Sequence, residues 1–172
     1  MGRISCGILI VLSVVAGCGQ PSSGYDIVLF DAGTALLRAH GQPQVSAKIG
    51  DLFRHNGDGV CIAQIGSRIE MLERNSGNQF HSVIPDVVRQ TQGSTDEEDW
   101  NVVFVARAQV KQVLRMNGWH SRVTVNIRLP DGRVVGDDGC FSAMDTAEIE
   151  EAVLNGKKGL AITLSRAASS ES

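Results

Sequence analysis

The sequence predicts an α+β fold: a single domain with a mainly antiparallel or mixed sheet and three to four short helices. Helix and strand signals alternate along the chain without an internal repeat. Short turns separate several of the strand signals, which favours an α+β arrangement over a doubly wound parallel sheet. The clearest strand, over residues 123–129, alternates apolar and polar side chains. This pattern indicates a sheet with one face in water.

The first part of the chain predicts two strands and a short helix. Residues 25–30 are rich in strand-favouring residues, and residues 36–37 are expected to continue as a second strand. Apolar residues in segment 45–53 recur at helical spacing and predict a short amphipathic helix.

A hairpin and a further helix are predicted next. Strands over 60–65 and 68–73 are separated by Gly66-Ser67. Glycine at the first central position supplies the positive φ of a type II′ turn, so this dipeptide is a hairpin signal. Pro85 suits the first turn of a short helix, which we expect to stop near Gly93.

The central segment predicts a strand over 101–105 and then a helix over 107–117, with Gly118 as its C-terminal stop. On that helix, Arg107, Lys111 and Arg115 recur every fourth residue. They predict a basic stripe that faces solvent, with anionic headgroups or an acidic partner as the functional alternative.

After the strand over 123–129, the sequence predicts a turn at 130–132 and a short strand over 133–135 that pairs back. Asp145 and Glu148 resemble a capping box and predict a helix that ends at Gly156. Residues 160–164 alternate again and predict a last strand.

The first eighteen residues carry the most specific motif of the chain. Met1-Gly2-Arg3 precedes an apolar run over 4–16, which is too short to span a bilayer. The run ends in Val15-Ala16-Gly17-Cys18, which resembles the lipobox of bacterial lipoproteins. The resemblance implies that residues 1–17 are a signal peptide and that Cys18 becomes the mature N-terminus. It also implies that Cys18 is lipidated and that palmitate is among its acyl groups. Cleavage without a lipid and an uncleaved anchor are the alternatives.

This resemblance predicts a protein of the bacterial cell envelope, extracytoplasmic and anchored in a membrane. Residues 18–24 are the predicted lipidated cysteine and flexible tether, 25–165 the domain, and 166–172 a disordered tail. Gly19 follows the cysteine, so sorting to the outer membrane is as compatible with the motif as retention at the inner one. The formal net charge of −3 argues against a nucleic-acid partner.

Two of the four cysteines lie beyond Cys18. An even pair in an exported domain favours a disulfide between Cys61 and Cys140. Two separate buried thiols are the alternative.

The residues that carry chemistry do not form a recognisable site. The acids of the C-terminal half match no calcium loop, and the histidines lack zinc-ligand spacing, so we predict no metal, no cofactor and no catalytic residue. Those acids form an acidic cluster that we expect to be exposed on the turns of a solvated hairpin, with a hard cation as the functional alternative; they are Asp131, Asp137, Asp138 and Asp145. The histidines are His40, His55, His81 and His120. Trp100 and Trp119 are expected to cap the core, with an exposed recognition pair as the alternative.

Two further resemblances concern the segment around Asp31. Residues 27–34 resemble the first motif of haloacid-dehalogenase-type phosphatases, in which a strand delivers an aspartate nucleophile. Asp31 matches the nucleophile, residues 136–138 imitate a later acidic motif, and Gly33 replaces the second aspartate. Residues 31–34, 36–37 and 41–53 also resemble the small periplasmic domain of the biopolymer-transport energy-transducer family, whose members use a membrane helix rather than a lipobox. Independently of this resemblance, the expected partners are the membrane, through Cys18, and an envelope protein.

The sequence therefore predicts a membrane-anchored binding or envelope-assembly module, with an enzyme as the less favoured class. The alternatives are a small envelope hydrolase, with Cys140 or Asp31 as nucleophile, and a purely structural lipoprotein. A histidine near the thiol is required for the thiol enzyme. A pocket that joins Cys140, Asp137 and His120 would favour that alternative.

Overall fold

The computed structural model describes residues 23–54, 57–92, 99–118, 120–136 and 138–166. Within these ranges the protein contains four α-helices and two sheets, which confirms the α+β class. The helices are α1 (Ser23–His40), α2 (Ile49–Phe53), α3 (Ile69–Asn75) and α4 (Ile84–Thr91), with a 3-10 turn at Asn78–Phe80. None of these described helices combines the length and the apolar character that a bilayer-spanning segment needs.

Nine strands form the two sheets of the described part of the chain. The strands are β1 (Gln44–Lys48), β2 (Gly59–Gln64), β3 (Trp100–Ala106), β4 (Gln109–Met116), β5 (Val123–Arg128), β6 (Val134–Val135), β7 (Gly139–Ser142), β8 (Thr146–Leu154) and β9 (Lys157–Ser165). The five-stranded sheet has the order β1-β8-β9-β5-β6, and the four-stranded sheet has the order β4-β3-β2-β7. Only β5 and β9 pair in parallel; the other neighbours are antiparallel.

The two sheets share one hydrophobic core. Alternate residues of the five-stranded sheet, such as Val125, Ile149 and Ile162, point into it together with one face of the four-stranded sheet. Helices α1 and α2 complete this core. The polar residues between those positions lie on the opposite face of the five-stranded sheet, as the alternation predicts.

A second core lies on the other face of the four-stranded sheet. Side chains of α3 and α4, such as Leu72 and Val87, pack there against Cys61 and Val103. Both faces of β2 and β3 are therefore covered, which explains why their residues are buried almost without interruption.

The predicted strand over 25–30 and its continuation at 36–37 were wrong, because both segments belong to α1. The branched residues Ile27 and Val28 favour a strand locally, but they are the exposed side of the helix. Tyr25 and Leu29 lie one turn apart and face the core. The helix ends at Gly41, whose φ of +62° permits its N–H to bond to the carbonyl of Leu37.

The predicted hairpin at Gly66-Ser67 was also wrong in its second arm, since residues 69–75 form α3. The first arm is confirmed as β2. Gly66 has the positive φ that the turn signal requires, but Ser67 Oγ donates back to the carbonyl of Gln64. The chain therefore turns away from β2 and enters a helix whose Leu72 is fully buried.

The predicted helices over 107–117 and after Asp145 were wrong; both segments are strands. A two-residue turn at Arg107-Ala108 returns the chain from β3 to β4, and both residues have positive φ. Asp145 Oδ2 accepts a hydrogen bond from the backbone N–H of Ser142 at 2.7 Å, so the residue closes a turn before β8 rather than capping a helix.

The remaining local predictions are confirmed in whole or in part. The helix at Pro85 is confirmed as α4, and the strands over 101–105, 123–129 and 160–164 are confirmed as β3, β5 and β9. The turn at Pro130-Asp131-Gly132 joins β5 to β6 as predicted. Segment 45–53 is divided between β1 and α2, so its predicted helix holds only for the second part.

Candidate functional site

A disulfide joins Cys61 of β2 to Cys140 of β7. The two residues lie directly opposite each other in the antiparallel pair, with their Cα atoms 4.0 Å apart. Both are fully buried in the core beneath α3 and α4. Because both sulfurs are bonded and shielded, neither cysteine is available as a nucleophile in this state.

Beside the disulfide, Asp138 forms a buried polar network. One carboxylate oxygen accepts hydrogen bonds from the backbone N–H of Gln64, at 2.9 Å, and from the hydroxyl of Ser67. The carbonyl oxygen of Asp138 accepts a bond from the side-chain amide of Asn75 at 2.8 Å. Sequence reasoning placed Asp138 in an exposed acidic cluster, and no local pattern marks it as a residue that binds a turn 71 positions away.

One cavity of the described part of the chain is an open polar cleft of about 820 Å³. It lies where the 3-10 turn, the β5–β6 turn and the end of β9 meet, and we call it the polar cleft. Its polar lining side chains are Asn78, Gln79, Arg128, Asp145, Ser165 and Arg166. Arg128 is partly neutralised, since its Nη2 lies 2.8 Å from Glu148 Oε2.

The polar cleft is suited to binding. Its amide and guanidinium groups donate hydrogen bonds, and Asp145 and the amide oxygens accept them. The described residues that line it include no histidine and no cysteine. The lining groups that could take part in acid–base or nucleophilic chemistry are Ser165 and Asp145, and Asp145 Oδ2 already accepts the backbone N–H of Ser142.

An apolar groove of about 450 Å³ lies between the start of α1, the end of α2 and β4. Its polar lining residues are Tyr25, Arg54 and Gln112. The Tyr25 hydroxyl donates to the carbonyl of Phe53 at 2.9 Å. The Tyr25 ring also contacts Phe104 edge to face, with the ring centroids 5.8 Å apart. Burial raises the pKa of the Tyr25 hydroxyl well above its usual value of 10.0, so it remains a donor.

The predicted acidic cluster is dispersed. Asp131 is exposed in the β5–β6 turn, where hydrogen bonds from Arg133 lower the pKa of its carboxyl group. Asp138 and Asp145 are buried in separate networks, and Asp137 lies outside the described residues. No group of three or more histidine, cysteine or acidic residues with metal-binding geometry occurs in the described part of the chain.

The histidines do not converge on the disulfide. His40 is at the end of α1, where a ring nitrogen lies 2.9 Å from the carbonyl of Leu36. His81 and His120 are exposed on separate elements, and His55 lies outside the described residues. The pocket joining Cys140, Asp137 and His120 that would favour a thiol enzyme is not among the described cavities.

Asp31 and the basic stripe differ from their predicted settings. Asp31 is an exposed residue in the middle of α1, so no strand presents it as the phosphatase motif requires.

Arg107 is in a turn while Lys111 and Arg115 are on β4, so the prediction of a helical stripe was wrong. Arg115 Nε donates to Asp99 Oδ2 at 2.7 Å.

The aromatic pair is only half described. Trp100 is buried in the core between the sheets, as the core-capping interpretation predicts. Trp119 and Cys18 lie outside the described residues.

Comparisons with protein-family models, with curated proteins and with solved structures find no match to this chain.

Proposed function

We propose that this protein is a lipid-anchored, extracytoplasmic lipoprotein of the bacterial envelope and that its domain acts as a binding or envelope-assembly module. The lipobox at Val15-Ala16-Gly17-Cys18 supplies the anchor. Two or more acyl chains on Cys18 hold a protein on a bilayer stably, whereas one does not.

The observation that carries the proposal is the disulfide between Cys61 and Cys140. Such bonds persist in oxidising compartments and are rare in the cytosol. A buried disulfide in the folded domain therefore supports export from the cytosol. The N-terminal motif supports export independently, because lipid attachment at a lipobox cysteine takes place on an exported chain.

The polar cleft supports binding over catalysis. It offers several hydrogen-bond donors and acceptors, while the two cysteines that an envelope thiol enzyme would use are joined to each other. A role in binding requires only recognition groups in a concave surface.

The anchor is tested with Cys18→Ser in the full chain, expressed in a bacterial host. We expect the wild type in the detergent-soluble membrane fraction, with an intact mass increased by its acyl chains, and the variant in the soluble fraction. Cys6→Ser is the matched control, because residue 6 is removed with the signal and its substitution leaves both readouts unchanged. An unmodified Cys18 in a soluble wild-type protein would overturn the anchor.

Binding at the polar cleft is tested by a photo-crosslinking residue at Gln79, with the exposed Gln90 of α4 as the matched position outside the cleft. We expect a defined adduct in intact cells from position 79 and none from position 90. Absence of an adduct at both positions would favour a purely structural lipoprotein.

A further inference from the structure

The position of α1 fixes which end of the domain lies nearest the lipid, if Cys18 carries one as proposed above. Four residues lie between Cys18 and Ser23, where α1 begins, so five Cα–Cα steps connect the two. A fully extended chain of that length spans at most about 18 Å. The start of α1 is therefore held close to the membrane surface.

Hydrogen bonds connect the start of α1 to the segment that precedes β5. Asp26 Oδ1 accepts a bond from Ser121 Oγ at 2.7 Å, and Asp26 Oδ2 accepts one from the backbone N–H of Arg122 at 3.2 Å. Asp26 is buried, so these bonds lie inside the protein. They fix residues 121–122 against the first turn of the helix.

Arg122 extends this connection to the β8–β9 hairpin. Its guanidinium lies 3.6 Å from the centre of the Phe30 ring on α1, and its Nη2 donates to the carbonyl of Lys158 at 3.3 Å. Its carbonyl accepts a bond from the backbone N–H of Leu160 at 2.8 Å. The tip of the hairpin is thus held at the same end of the domain as the tethered start of α1.

That hairpin tip combines an apolar residue with basic ones. Val153 is 78% exposed, the highest exposure among the large apolar residues described. Lys157 and Lys158 are both exposed beside it. The tight turn between the strands is Asn155-Gly156, with φ values of +50° and +74°, so Val153 and Lys158 pair directly across the hairpin.

The charge at this end is opposite to that of the whole chain. Residues 151–158 and Arg122 contribute three basic side chains and one acidic side chain, Glu151, whose Oε1 lies 2.6 Å from Lys158 Nζ. With the buried Asp26 that lies against residues 121–122, the local net charge is +1. The full sequence has a formal net charge of −3. A local cationic surface on an acidic protein is complementary to an anionic one.

We infer that this end is a second membrane contact, in which Arg122, Lys157 and Lys158 bind anionic phospholipid headgroups and Val153 enters the interface. We call it the membrane-facing tip. The contact orients the domain so that the opposite end of the five-stranded sheet, with the polar cleft, points away from the bilayer. The inference rests on the proposed anchor, because the anchor places this end within reach of the headgroups.

The test uses the full lipidated chain in vesicles of phosphatidylglycerol and phosphatidylethanolamine, with a polarity-sensitive thiol probe at Val153→Cys. Val134→Cys is the matched control, since Val134 is 55% exposed at the opposite end of the same sheet. We expect a blue shift and quenching by bromolipids at position 153 and neither at position 134. The shift should be lost in phosphatidylcholine vesicles and weakened by high salt, which screens exposed charges.

Charge reversal supplies the second measurement. Removal of one basic residue near an anionic surface weakens attraction roughly fivefold, so Lys157→Glu should reduce the equilibrium constant for tip binding by at least that factor. Lys48→Glu, an exposed residue at the far end of β1, should not change it.

The two proposals fail in different ways. Vesicle flotation and intact mass report the lipid anchor, while the probe at residue 153 reports the tip. A lipidated, floating protein with a water-exposed probe at 153 overturns the membrane-facing tip alone. Loss of flotation and of acyl mass overturns the anchor and the tip together. A probe at 153 that shifts only when envelope protein is added identifies a protein partner instead and also overturns the inference.

Discussion

The carboxylate of Asp138 accepts a hydrogen bond from the hydroxyl of Ser67, a residue 71 positions earlier in the chain. This bond fixes the turn after β2 to the segment that enters β7. The same two strands are joined by the disulfide between Cys61 and Cys140. A covalent bond and a buried polar network therefore stabilise the same strand pair.

The disulfide is expected to contribute a large share of the stability. It closes a loop of 79 residues in sequence separation, for which the chain-entropy model gives about 4 kcal/mol. The double variant Cys61→Ala and Cys140→Ala should lower the free energy of unfolding in urea by roughly that amount. The wild type unfolded with reductant serves as the control and should show a similar loss. A difference below about 1 kcal/mol would contradict this role.

The Asp138 network gives a second prediction, with Asp131 as its matched control. Asp138→Ala leaves the N–H of Gln64 and the hydroxyl of Ser67 without their acceptor in a buried site, which costs about 1–3 kcal/mol. Asp131→Ala removes an acid from an exposed turn, where its bonds with Arg133 are screened by solvent, and should lower the denaturation midpoint far less. Equal effects of the two substitutions would show that Asp138 does not have the structural role assigned to it.

The hydroxyl of Tyr25 is predicted to ionise at a higher pH than an exposed tyrosine. Because the sequence contains only one tyrosine, tyrosinate absorbance reports on Tyr25 alone. Burial raises its pKa in the folded state above the usual 10.0. The protonated hydroxyl therefore stabilises the fold below pH 10, and this contribution is lost as the pH rises through the folded-state pKa. Tyrosinate absorbance should be absent in the native protein just above pH 10.0 and present in urea at the same pH. Reversible native titration at the usual value would contradict the buried setting.

Gly59 is expected to tolerate no side chain. A Cβ atom there would meet the backbone oxygen of Phe141 and would lie 2.6 Å from the Phe80 ring. Gly59→Ala should therefore destabilise the protein by roughly 3 kcal/mol, through overpacking between β2 and β7. Gly136→Ala is the control, since nothing lies within 4 Å of its added carbon. Thermal unfolding of the two variants measures the difference, and coincident curves would contradict the prediction.

The strands and helices that could be predicted are those in which buried and exposed side chains alternate regularly along the segment, or in which a turn residue marks the boundary. In β5, Val123, Val125 and Ile127 alternate with half-exposed polar residues because one face meets the core and the other meets water. Pro85 marks the start of α4 because its fixed φ suits the first turn of a helix. The binary pattern and the turn residues carry enough information in such segments.

The predictions for other segments were wrong because contacts with distant residues decided between two locally acceptable conformations. Residues 110–114 have apolar side chains at helical spacing, but a turn at Arg107-Ala108 pairs them with β3, and the Asp58 carboxylate accepts the N–H of Arg107. Neither Arg nor Ala signals positive φ. Around the β8–β9 turn the sequence fits two conformations: Asn155-Gly156 between apolar runs favours a type I′ hairpin, whereas Asp145 and Glu148 fit a capping box at the start of a helix.

The sequence by itself determined the α+β class, the cysteine pair available for a disulfide, and the resemblance to a lipobox from which an anchored envelope protein is proposed. Only the tertiary structure decided that residues 23–40 form one helix, that Asp138 is a buried acceptor, and that the 3-10 turn, the β5–β6 turn and the end of β9 line the polar cleft. The physical reason is that patterns of polarity and turn chemistry are local properties of the chain. A cleft, a buried network and the end of the domain that faces a membrane depend on which distant segments are packed together.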